Sequence, residues 1–232
     1  MDNYPETTEE SRRRWEANAE FWDDRMGEDS NQFHRRVVRP HTEELLDIHA
    51  GDLVLDVACG NGNFSRRLAE HGARVVAFDY SERMIARAGQ YRSAGPGTIS
   101  FHVADVTDRE QIRALQQERP FDKAVACMAV MNISDTRSLF HGVAEVLRPG
   151  GIFVFSTHHP CFVRPGGKYR TAEINKGEAI AGQPVPHLLY HRPLQGLFRQ
   201  CFSAGFVMDG FYEETDDDPE NPVIIIVRLR RE

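Results

Sequence analysis

The sequence predicts an α/β fold: a mostly parallel sheet with helices on both faces, closed at one edge by an antiparallel hairpin. Between residues 51 and 157, short apolar runs alternate with amphipathic segments, which is the pattern of parallel strands joined by helices. Two further strand-like runs, Phe206–Glu213 and Val223–Arg230, are separated by a short acidic turn with prolines, so they are expected to pair as a hairpin. Five parallel strands and the hairpin make a seven-stranded sheet.

Two helices are expected ahead of the sheet. Thr7 and Glu10 have capping-box spacing, and the apolar residues that follow recur at helical intervals until Gly27. This apolar face consists of Trp15, Ala19, Trp22 and Met26. A second helix is expected at about Arg36–His49, with Pro40 tolerated because it lies in the first turn.

Strands and helices are then expected to alternate. The expected strands are Val54–Val57, Arg74–Asp79, Ile99–Val103, Asp122–Cys127 and Ile152–Thr157. The expected helices are Asn63–His71, Ser81–Tyr91, Thr107–Glu118 and Asp135–Arg148. Thr107 and Glu110 again have capping-box spacing, while Gly72 and Pro120 are typical of the residues that follow a helix.

The regular alternation stops after Thr157. Residues 158–192 are rich in proline and glycine, including Pro165-Gly166-Gly167, and show no strong periodicity. A long irregular insert in a compact domain usually forms a lid or a binding loop, so this segment is expected to be functional. Pro193–Ala204 then predicts a helix that Gly205 ends. The chain is therefore interpreted as one domain, 1–232, made of an N-terminal helical cap (1–50), a core (51–157), a lid-like insert (158–192) and a C-terminal helix with the hairpin (193–232).

The turn after the first predicted strand is the most informative motif. The strand ends in Asp56, and the turn carries Gly60 and Gly62, whose missing Cβ atoms let a ligand approach the backbone closely. The second strand ends in Asp79. A glycine turn beside an acid at the end of the next strand is the arrangement that binds a nucleoside, with the carboxylate on the ribose hydroxyls. The third glycine of a dinucleotide-binding turn is missing, because Ser65 occupies its position.

The stretch V-L-D-V-A-C-G-N-G resembles motif I of the class I S-adenosylmethionine (SAM)-dependent methyltransferases. The usual form of that motif is D-x-G-x-G-x-G, and this chain has Ala58 at the first glycine. The resemblance implies a Rossmann-like fold, SAM as the cofactor and methyl transfer as the activity. It covers residues 50–157 well and residues 193–231 loosely. The N-P-P-[YF] tetrad of amino-group methylation on DNA or protein glutamine is absent, since Cys127-Met128-Ala129-Val130 follows the fourth strand instead.

Ligands of open parallel sheets bind at the carboxyl ends of the strands, where the strand order reverses. The cofactor-binding residues that the resemblance implies are Phe33, Asp56, Ala58, Gly60, Gly62, Asn63, Asp79, Tyr80, Met84, Asp105, Val106, Cys127 and Met128. By resemblance, Asp79 would accept hydrogen bonds from the ribose diol and Asp105 one from the adenine amino group. The alternative for Tyr80 and Met84 is core packing, and the alternative for Asp105 is a helix cap. The residues expected to close over the carboxylate end of SAM are Phe33, Arg35 and Arg36.

A general base is needed only if the acceptor loses a proton on methylation. Two adjacent histidines, His158 and His159, stand at the end of the fifth predicted strand, and histidine suits this role near neutral pH. His191 is a second candidate, and Tyr212 or Glu213 on the hairpin is a third. A structural hydrogen bond is the alternative for each of these histidines.

The composition limits the remaining possibilities. The net charge of −7 disfavours a general nucleic-acid binder, which usually presents a basic face. The 4 cysteines are far apart and the acidic run Asp216–Asp218 falls in the hairpin turn, so neither a disulfide framework nor a metal site is expected. The N-terminus lacks an apolar leader and no apolar run reaches the length of a membrane span, which predicts a cytoplasmic protein without membrane contact. A monomer or a homodimer is expected.

The first interpretation is a metal-independent methyltransferase that acts on a small molecule, because the insert resembles a lid and the net charge is acidic. The alternatives are a tRNA or protein methyltransferase on the same scaffold and a SAM-binding protein without catalytic activity. A nucleotide-dependent dehydrogenase is a more distant alternative, since the glycine pattern does not fit it.

Overall fold

The computed structural model describes residues 3–91, 94–161 and 168–232. Its strands are β1 (Leu53–Val57), β2 (Arg74–Asp79), β3 (Thr98–Val103), β4 (Phe121–Ala126), β5 (Leu147–His158), β6 (Glu173–Gly177), β7 (His187–His191), β8 (Phe206–Thr215) and β9 (Pro222–Arg231). Its α-helices are α1 (Thr8–Met26), α2 (Arg39–Leu46), α3 (Asn63–Glu70), α4 (Glu82–Ala88), α5 (Arg109–Ala114), α6 (Thr136–Val146) and α7 (Leu194–Ser203). Short 3₁₀ turns occupy Pro5–Thr7 and Val130–Asn132, and a π-helical turn occupies His34–Val38. Across these three described ranges, no helix has both the length and the apolar composition needed to cross a membrane.

Seven strands form one sheet in the order β3-β2-β1-β4-β5-β9-β8. The strands β1 to β5 pair in parallel, whereas β9 runs antiparallel to β5 and β8 antiparallel to β9. The predicted fold class is therefore confirmed, including the hairpin at the edge of the sheet. The strand order reverses between β1 and β4, so a crevice opens at the carboxyl ends of these strands.

The central strands of the sheet are buried on both faces. Successive residues of β1 point to opposite faces, so Leu53 and Leu55 pack with residues of α5 and α6, whereas Val54 packs with residues of α2 and α3. All five residues of β1 are buried. Burial on both faces explains why the first strand is an unbroken apolar run up to Asp56, as is typical of a central parallel strand.

Several helix ends differ from the predicted ones. Thr7 makes no side-chain cap on α1, because its Oγ1 donates a hydrogen bond to the Tyr4 carbonyl at 2.8 Å within the preceding 3₁₀ turn. Asp108, and not Thr107, caps α5, since its carboxylate accepts hydrogen bonds from two amides of the first turn. The helices α4 and α5 also end earlier than predicted.

The insert contains a hairpin that the sequence does not predict. The strands β6 and β7 pair antiparallel in a small sheet of their own. Most residues of β7 are buried on either side, so polar and apolar residues do not alternate along it and the usual strand signal is missing. The insert contacts α1, because the Asn18 side chain binds both the carbonyl and the amide of Val185, at 2.7 and 3.0 Å. The predicted turn at Pro165-Gly166-Gly167 lies outside the described residues.

Candidate active site

A large cavity lies at the carboxyl ends of the parallel strands, where the strand order reverses. Its floor is the turn after β1 together with the ends of β2 and β4, and its roof consists of α1 and the insert. The lining residues of the floor include Asp56, Ala58, Gly60, Asp79, Cys127 and Met128. The lining residues of the roof include Trp15, Trp22, Ala179, Ile180 and His187.

The turn after β1 holds three residues in the left-handed region. Ala58, Gly60 and Gly62 have φ values of 53°, 56° and 73°. A Cβ on Gly60 would lie 3.7 Å from Nε1 of Trp22, in the space between floor and roof. A Cβ on Gly62 would lie 2.8 Å from the Phe101 ring, so this glycine lets the turn pack against β3. The left-handed conformation costs Ala58 roughly 1–2 kcal/mol, a strain that the usual glycine of this motif avoids.

Asp79 ends β2 beside this turn. Its Oδ2 accepts a hydrogen bond from the Gly60 amide at 3.0 Å, and its Oδ1 accepts one from the Ser81 amide at 2.9 Å. Burial raises the pKa of Asp79 to about 6, in spite of these two hydrogen bonds. Each carboxylate oxygen keeps a further lone pair, so both oxygens can still accept a hydrogen bond from a ligand in the cavity.

Asp56 is the second buried acid of the floor. Burial raises its pKa to about 7, against a hydrogen bond from Ser65 that lowers it and with a further increase from the charge of Asp79. The Ser65 hydroxyl donates to Oδ2 of Asp56 at 2.5 Å. Because two neighbouring buried carboxylates disfavour each other's ionisation, a cationic ligand stabilises both charges. The floor therefore favours a ligand with positive charge.

The residues after β2 and β3 form one side of the cavity. Oδ1 of Asp105 accepts hydrogen bonds from the Thr107 amide and the Thr107 hydroxyl, both at 2.8 Å, so Asp105 supports its own loop and does not cap α5. The Tyr80 hydroxyl lies 3.1 Å from Oγ of Ser11 on α1. Met84 packs against α1 and also lines the cavity, so core packing and ligand contact coexist at this position.

The end of β4 forms the opposite side. The Met128 amide donates a hydrogen bond to Oγ of Ser156 at 2.8 Å, which holds the two strand ends together. Burial raises the pKa of the Cys127 thiol to about 12. Cys127 therefore stays protonated at neutral pH and acts as a small buried residue, not as a nucleophile.

The structure brings most of the predicted site residues to the cavity. The predicted residues that line it are Phe33, Asp56, Ala58, Gly60, Asn63, Asp79, Tyr80, Met84, Asp105, Val106, Cys127, Met128 and His158. The predicted residues outside this lining are Gly62, Arg35, Arg36, His159, His191, Tyr212 and Glu213. Gly62 supports the turn from behind, and the Tyr212 hydroxyl donates to Oε1 of Glu44 at 2.8 Å on the protein surface.

His159 and His191 are held in hydrogen bonds away from the cavity. Whereas His158 lines the cavity, His159 directly follows β5 and does not line it. Its Nδ1 accepts from the Cys161 amide at 3.1 Å, which leaves Nε2 to donate to Glu213 at 3.0 Å. Nε2 of His191 donates to the Tyr169 carbonyl at 2.8 Å. For both histidines the geometry favours the structural alternative over catalysis.

Arg39 occupies the position that the sequence suggests for Arg35 and Arg36. Arg35 and Arg36 are exposed, whereas Arg39 lines the cavity and its Nη2 donates to the Asp29 carbonyl at 2.9 Å. The π-helical turn His34–Val38 explains the difference, because it holds one residue more than an α-helical turn and rotates everything that follows. No periodicity in the sequence signals this extra residue.

Three histidines line the cavity: His34, His158 and His187. Burial lowers the pKa of His158, and it lowers the pKa of His34 and of His187 to about 4, so all three rings are neutral at neutral pH. The sequence points only to His158, because His187 lies in the insert that is expected to be irregular. Within the described part of the chain, no three His, Cys, Asp or Glu side chains are grouped so that they could hold a metal ion.

Comparison with known sequences identifies relatives of the core. Residues 54–151 match the sequence profile of a methyltransferase domain family. The demethylmenaquinone methyltransferase of Clavibacter sepedonicus is 37% identical over 120 residues, which make up 50% of this chain and 46% of that protein. The chain thus spans about half the length of the curated relatives it matches.

Comparison with solved structures extends the likeness beyond the core. The SAM-dependent methyltransferase of Mesorhizobium loti aligns with a TM-score of 0.63 at 27% identity, over 83% of this chain and 96% of that one. The magnesium protoporphyrin IX methyltransferase of Synechocystis PCC 6803, with bound S-adenosylhomocysteine, aligns with a TM-score of 0.65 at 16% identity, over 97% and 99% of the two chains. This second likeness shows the fold alone. Residues 54–151 thus match a methyltransferase domain family, and the motif after β1 and the order of the seven strands make the chain similar to the class I SAM-dependent methyltransferases.

Proposed function

We propose that this protein binds SAM in the cavity and transfers its methyl group to a small molecule. The observation that carries the proposal is the corner formed by Gly60 and Asp79, where bare backbone and a buried carboxylate face the same cavity. The relatives support the proposal, since each of those compared is a methyltransferase by name. The described chain is proposed to work as one domain, with the insert as part of the lid.

The residues of the cavity fit SAM. Asp79 would accept hydrogen bonds from the ribose diol, and Asp105 would accept one from the adenine amino group. Asp56 would face the positive charge of the methionine part, which agrees with the raised pKa of this buried acid. Arg39 would bind the carboxylate at the far end. When bound, SAM supplies an electrophilic methyl group on a sulfonium.

Two features of the chain would assist the transfer. His158 is proposed to accept a proton from the acceptor, because burial keeps its imidazole neutral and basic at neutral pH. The roof is proposed to exclude water and to hold the acceptor in line with the methyl group. Such alignment supplies much of the rate enhancement of a displacement reaction. Arg14 adds to the roof by donating to the Pro186 carbonyl at 2.7 Å, next to the contact of Asn18 with Val185.

A small acceptor is favoured over a macromolecule. Residues of α1 and of the insert line the cavity together with the ends of the strands, so the reactive group of an acceptor must fit among them. A small molecule meets this requirement more readily than a tRNA or a protein. The net charge of −7 also disfavours RNA binding. The cytoplasmic location and the monomeric or dimeric state stay predictions; the cysteines Cys59, Cys127, Cys161 and Cys201, which are free thiols, agree with a reducing compartment.

Calorimetry and thermal melting test the proposal. SAM and S-adenosylhomocysteine are expected to bind one to one and to stabilise the fold, by about 2.7 kcal/mol at a concentration of a hundred times Kd. NADH is expected to do neither. If neither SAM nor S-adenosylhomocysteine binds, the proposal is wrong. SAM binding without S-adenosylhomocysteine release in any acceptor panel supports the non-catalytic alternative, and tight tRNA binding with steep salt dependence supports the tRNA alternative.

The Arg39→Met variant tests the orientation of SAM. We expect S-adenosylhomocysteine to bind about tenfold more weakly, because its carboxylate loses a charge-assisted hydrogen bond. Binding of 5′-methylthioadenosine, which lacks the amino-acid part, is expected to be unchanged. Arg35→Met is the matched control and should leave both affinities at the wild-type value, since Arg35 is exposed outside the cavity. If Arg39→Met weakens the binding of S-adenosylhomocysteine and of 5′-methylthioadenosine equally, Arg39 supports the structure of the site and does not bind the carboxylate.

A further inference from the structure

Part of the cavity remains when the residues assigned to SAM are set aside. The lining of this part includes the uncharged polar residues Thr8, Ser11, Asn132 and Ser134. We call the following six residues of the lining the acceptor wall: Trp15, Met131, Ile133, His158, Ile180 and His187. These residues come from α1, from the loop after β4, from the end of β5 and from the insert.

The members of the acceptor wall are neighbours. The rings of Trp15 and His187 have centroids 5.1 Å apart. His158, at the end of β5, lines the same cavity as His187 of the insert. The loop after β4 is tied to the same region, because Nη2 of Arg192, directly after β7, donates to the Ile133 carbonyl at 2.8 Å. Trp15 and His187 are thus in contact, and all six residues of the acceptor wall line one cavity.

The acceptor wall carries no formal charge at neutral pH. Trp15, Met131, Ile133 and Ile180 are apolar or aromatic, and burial keeps both His158 and His187 neutral. Among the described residues, the charged side chains that line the cavity are Arg39, Asp56, Asp79 and Asp105. All four belong to the part assigned to SAM.

This separation of charge restricts what can enter. A charged group placed against the acceptor wall would lose its hydration without gaining an opposite charge, so its binding would be disfavoured. An uncharged aromatic ring loses little hydration and gains contact with the indole of Trp15, which is only 8% exposed and held by its neighbours.

We propose that the methyl acceptor is an uncharged aromatic compound whose ring lies between Trp15 and Met131. The inference rests on the proposed function, because it assigns the part of the cavity that SAM leaves open. The residues of the floor account for SAM binding, and the acceptor wall adds the class of methyl acceptor.

Three probes with the same ring system test the proposal in the presence of saturating S-adenosylhomocysteine. They are 2-naphthol, which is uncharged, 2-naphthoate, which is an anion, and 2-naphthylmethylammonium, which is a cation. We expect calorimetry to show that 2-naphthol binds at least about tenfold more tightly than either ion, because only the ions must be desolvated without a partner. If either ion binds as tightly as 2-naphthol, or if 2-naphthol does not bind saturably, the proposal is overturned.

A variant that changes the preference between 2-naphthol and 2-naphthoate tests whether these probes bind at the acceptor wall. The Met131→Lys variant places a cation in the acceptor wall, so we expect 2-naphthoate to gain at least about fivefold relative to 2-naphthol. Met208→Lys is the matched control, because Met208 is 40% exposed on β8 and far from the lining, and it should keep the wild-type ranking. An unchanged ranking in Met131→Lys, with S-adenosylhomocysteine still bound, would place the naphthol elsewhere and overturn the proposal. Loss of S-adenosylhomocysteine binding in the wild type would instead contradict the proposed function.

Discussion

The Asp79→Asn variant is expected to bind S-adenosylhomocysteine about a hundredfold more weakly than the wild type. Asp79 would give the ribose diol two charge-assisted hydrogen bonds, each worth about 1.5–3 kcal/mol, and asparagine can replace at most one of them with a weaker neutral bond. The amide nitrogen of asparagine is a hydrogen-bond donor, and it would face another donor, either a ribose hydroxyl or a backbone amide. This contact would weaken binding further. Calorimetry on the purified variant measures the loss directly.

The structure defines a control for this measurement. Asp79 also accepts hydrogen bonds from the Gly60 and Ser81 amides, so a part of the effect arises from a disturbed turn. Asp108→Asn is the matched substitution, because Asp108 caps α5 outside the cavity and asparagine caps a helix equally well. We expect it to leave both affinity and melting temperature unchanged. Wild-type affinity in Asp79→Asn would refute the assignment of the cofactor site.

The Asp56→Asn variant is expected to gain stability relative to the wild type as the pH rises. Burial raises the pKa of Asp56 from its ordinary value of 3.8 to about 7 in the folded protein. Between these two pH values the folded state holds a proton that the unfolded state releases, so the wild type loses stability as the pH increases towards 7. The asparagine variant has no such group. The difference in unfolding free energy is expected to reach about 4 kcal/mol, on the order of 1.36 kcal/mol for each pH unit.

Urea unfolding of ligand-free protein at pH 4 and pH 8 measures this difference. Asparagine keeps an oxygen that can accept the hydrogen bond from the Ser65 hydroxyl, so the packing around it should be conserved. Asp108→Asn again serves as the control, since the pKa of Asp108 is lowered and its removal gives no gain at high pH. A constant difference between wild type and Asp56→Asn across this range would show that Asp56 titrates normally. We also expect the variant to bind SAM more weakly, because it lacks the negative charge opposite the cation.

The sequence predicts the parts of the site that depend on local patterns. Asp56, Gly60 and Asp79 follow directly from where two apolar runs end, because the carboxyl ends of neighbouring parallel strands must meet at one edge of the sheet. The strand Arg74–Asp79 has the predicted bounds, and β1, β3 and β4 differ from the predicted strands by one residue at one end or both, whereas β5 begins at Leu147, five residues earlier than predicted. The central strands β1, β2 and β4 are almost entirely buried, so their apolar composition identifies them.

The residues that the sequence does not predict lie where an element is irregular or where the contact is distant. Arg39 lines the cavity because the extra residue of the π-helical turn rotates the side chains that follow it. Neither the composition nor the spacing of the sequence predicts that turn. His187 reaches the cavity because an unpredicted hairpin packs against α1. His159 does not line it, because its ring is held by Glu213 and the Cys161 amide, and only the structure shows which of the two adjacent histidines reaches the cavity.

The sequence by itself determined the fold class, the resemblance to the class I methyltransferases and the floor of the cavity, since these depend on short-range periodicity and on one turn with its neighbouring acid. Tertiary structure alone decided the roof, the neutral histidines and the charge-free acceptor wall. The physical reason is that burial and pKa are properties of what packs around a group, and the groups concerned come from segments far apart in the chain, such as Trp15, His158 and His187. Their joint surface exists only once α1 and the insert cover the sheet.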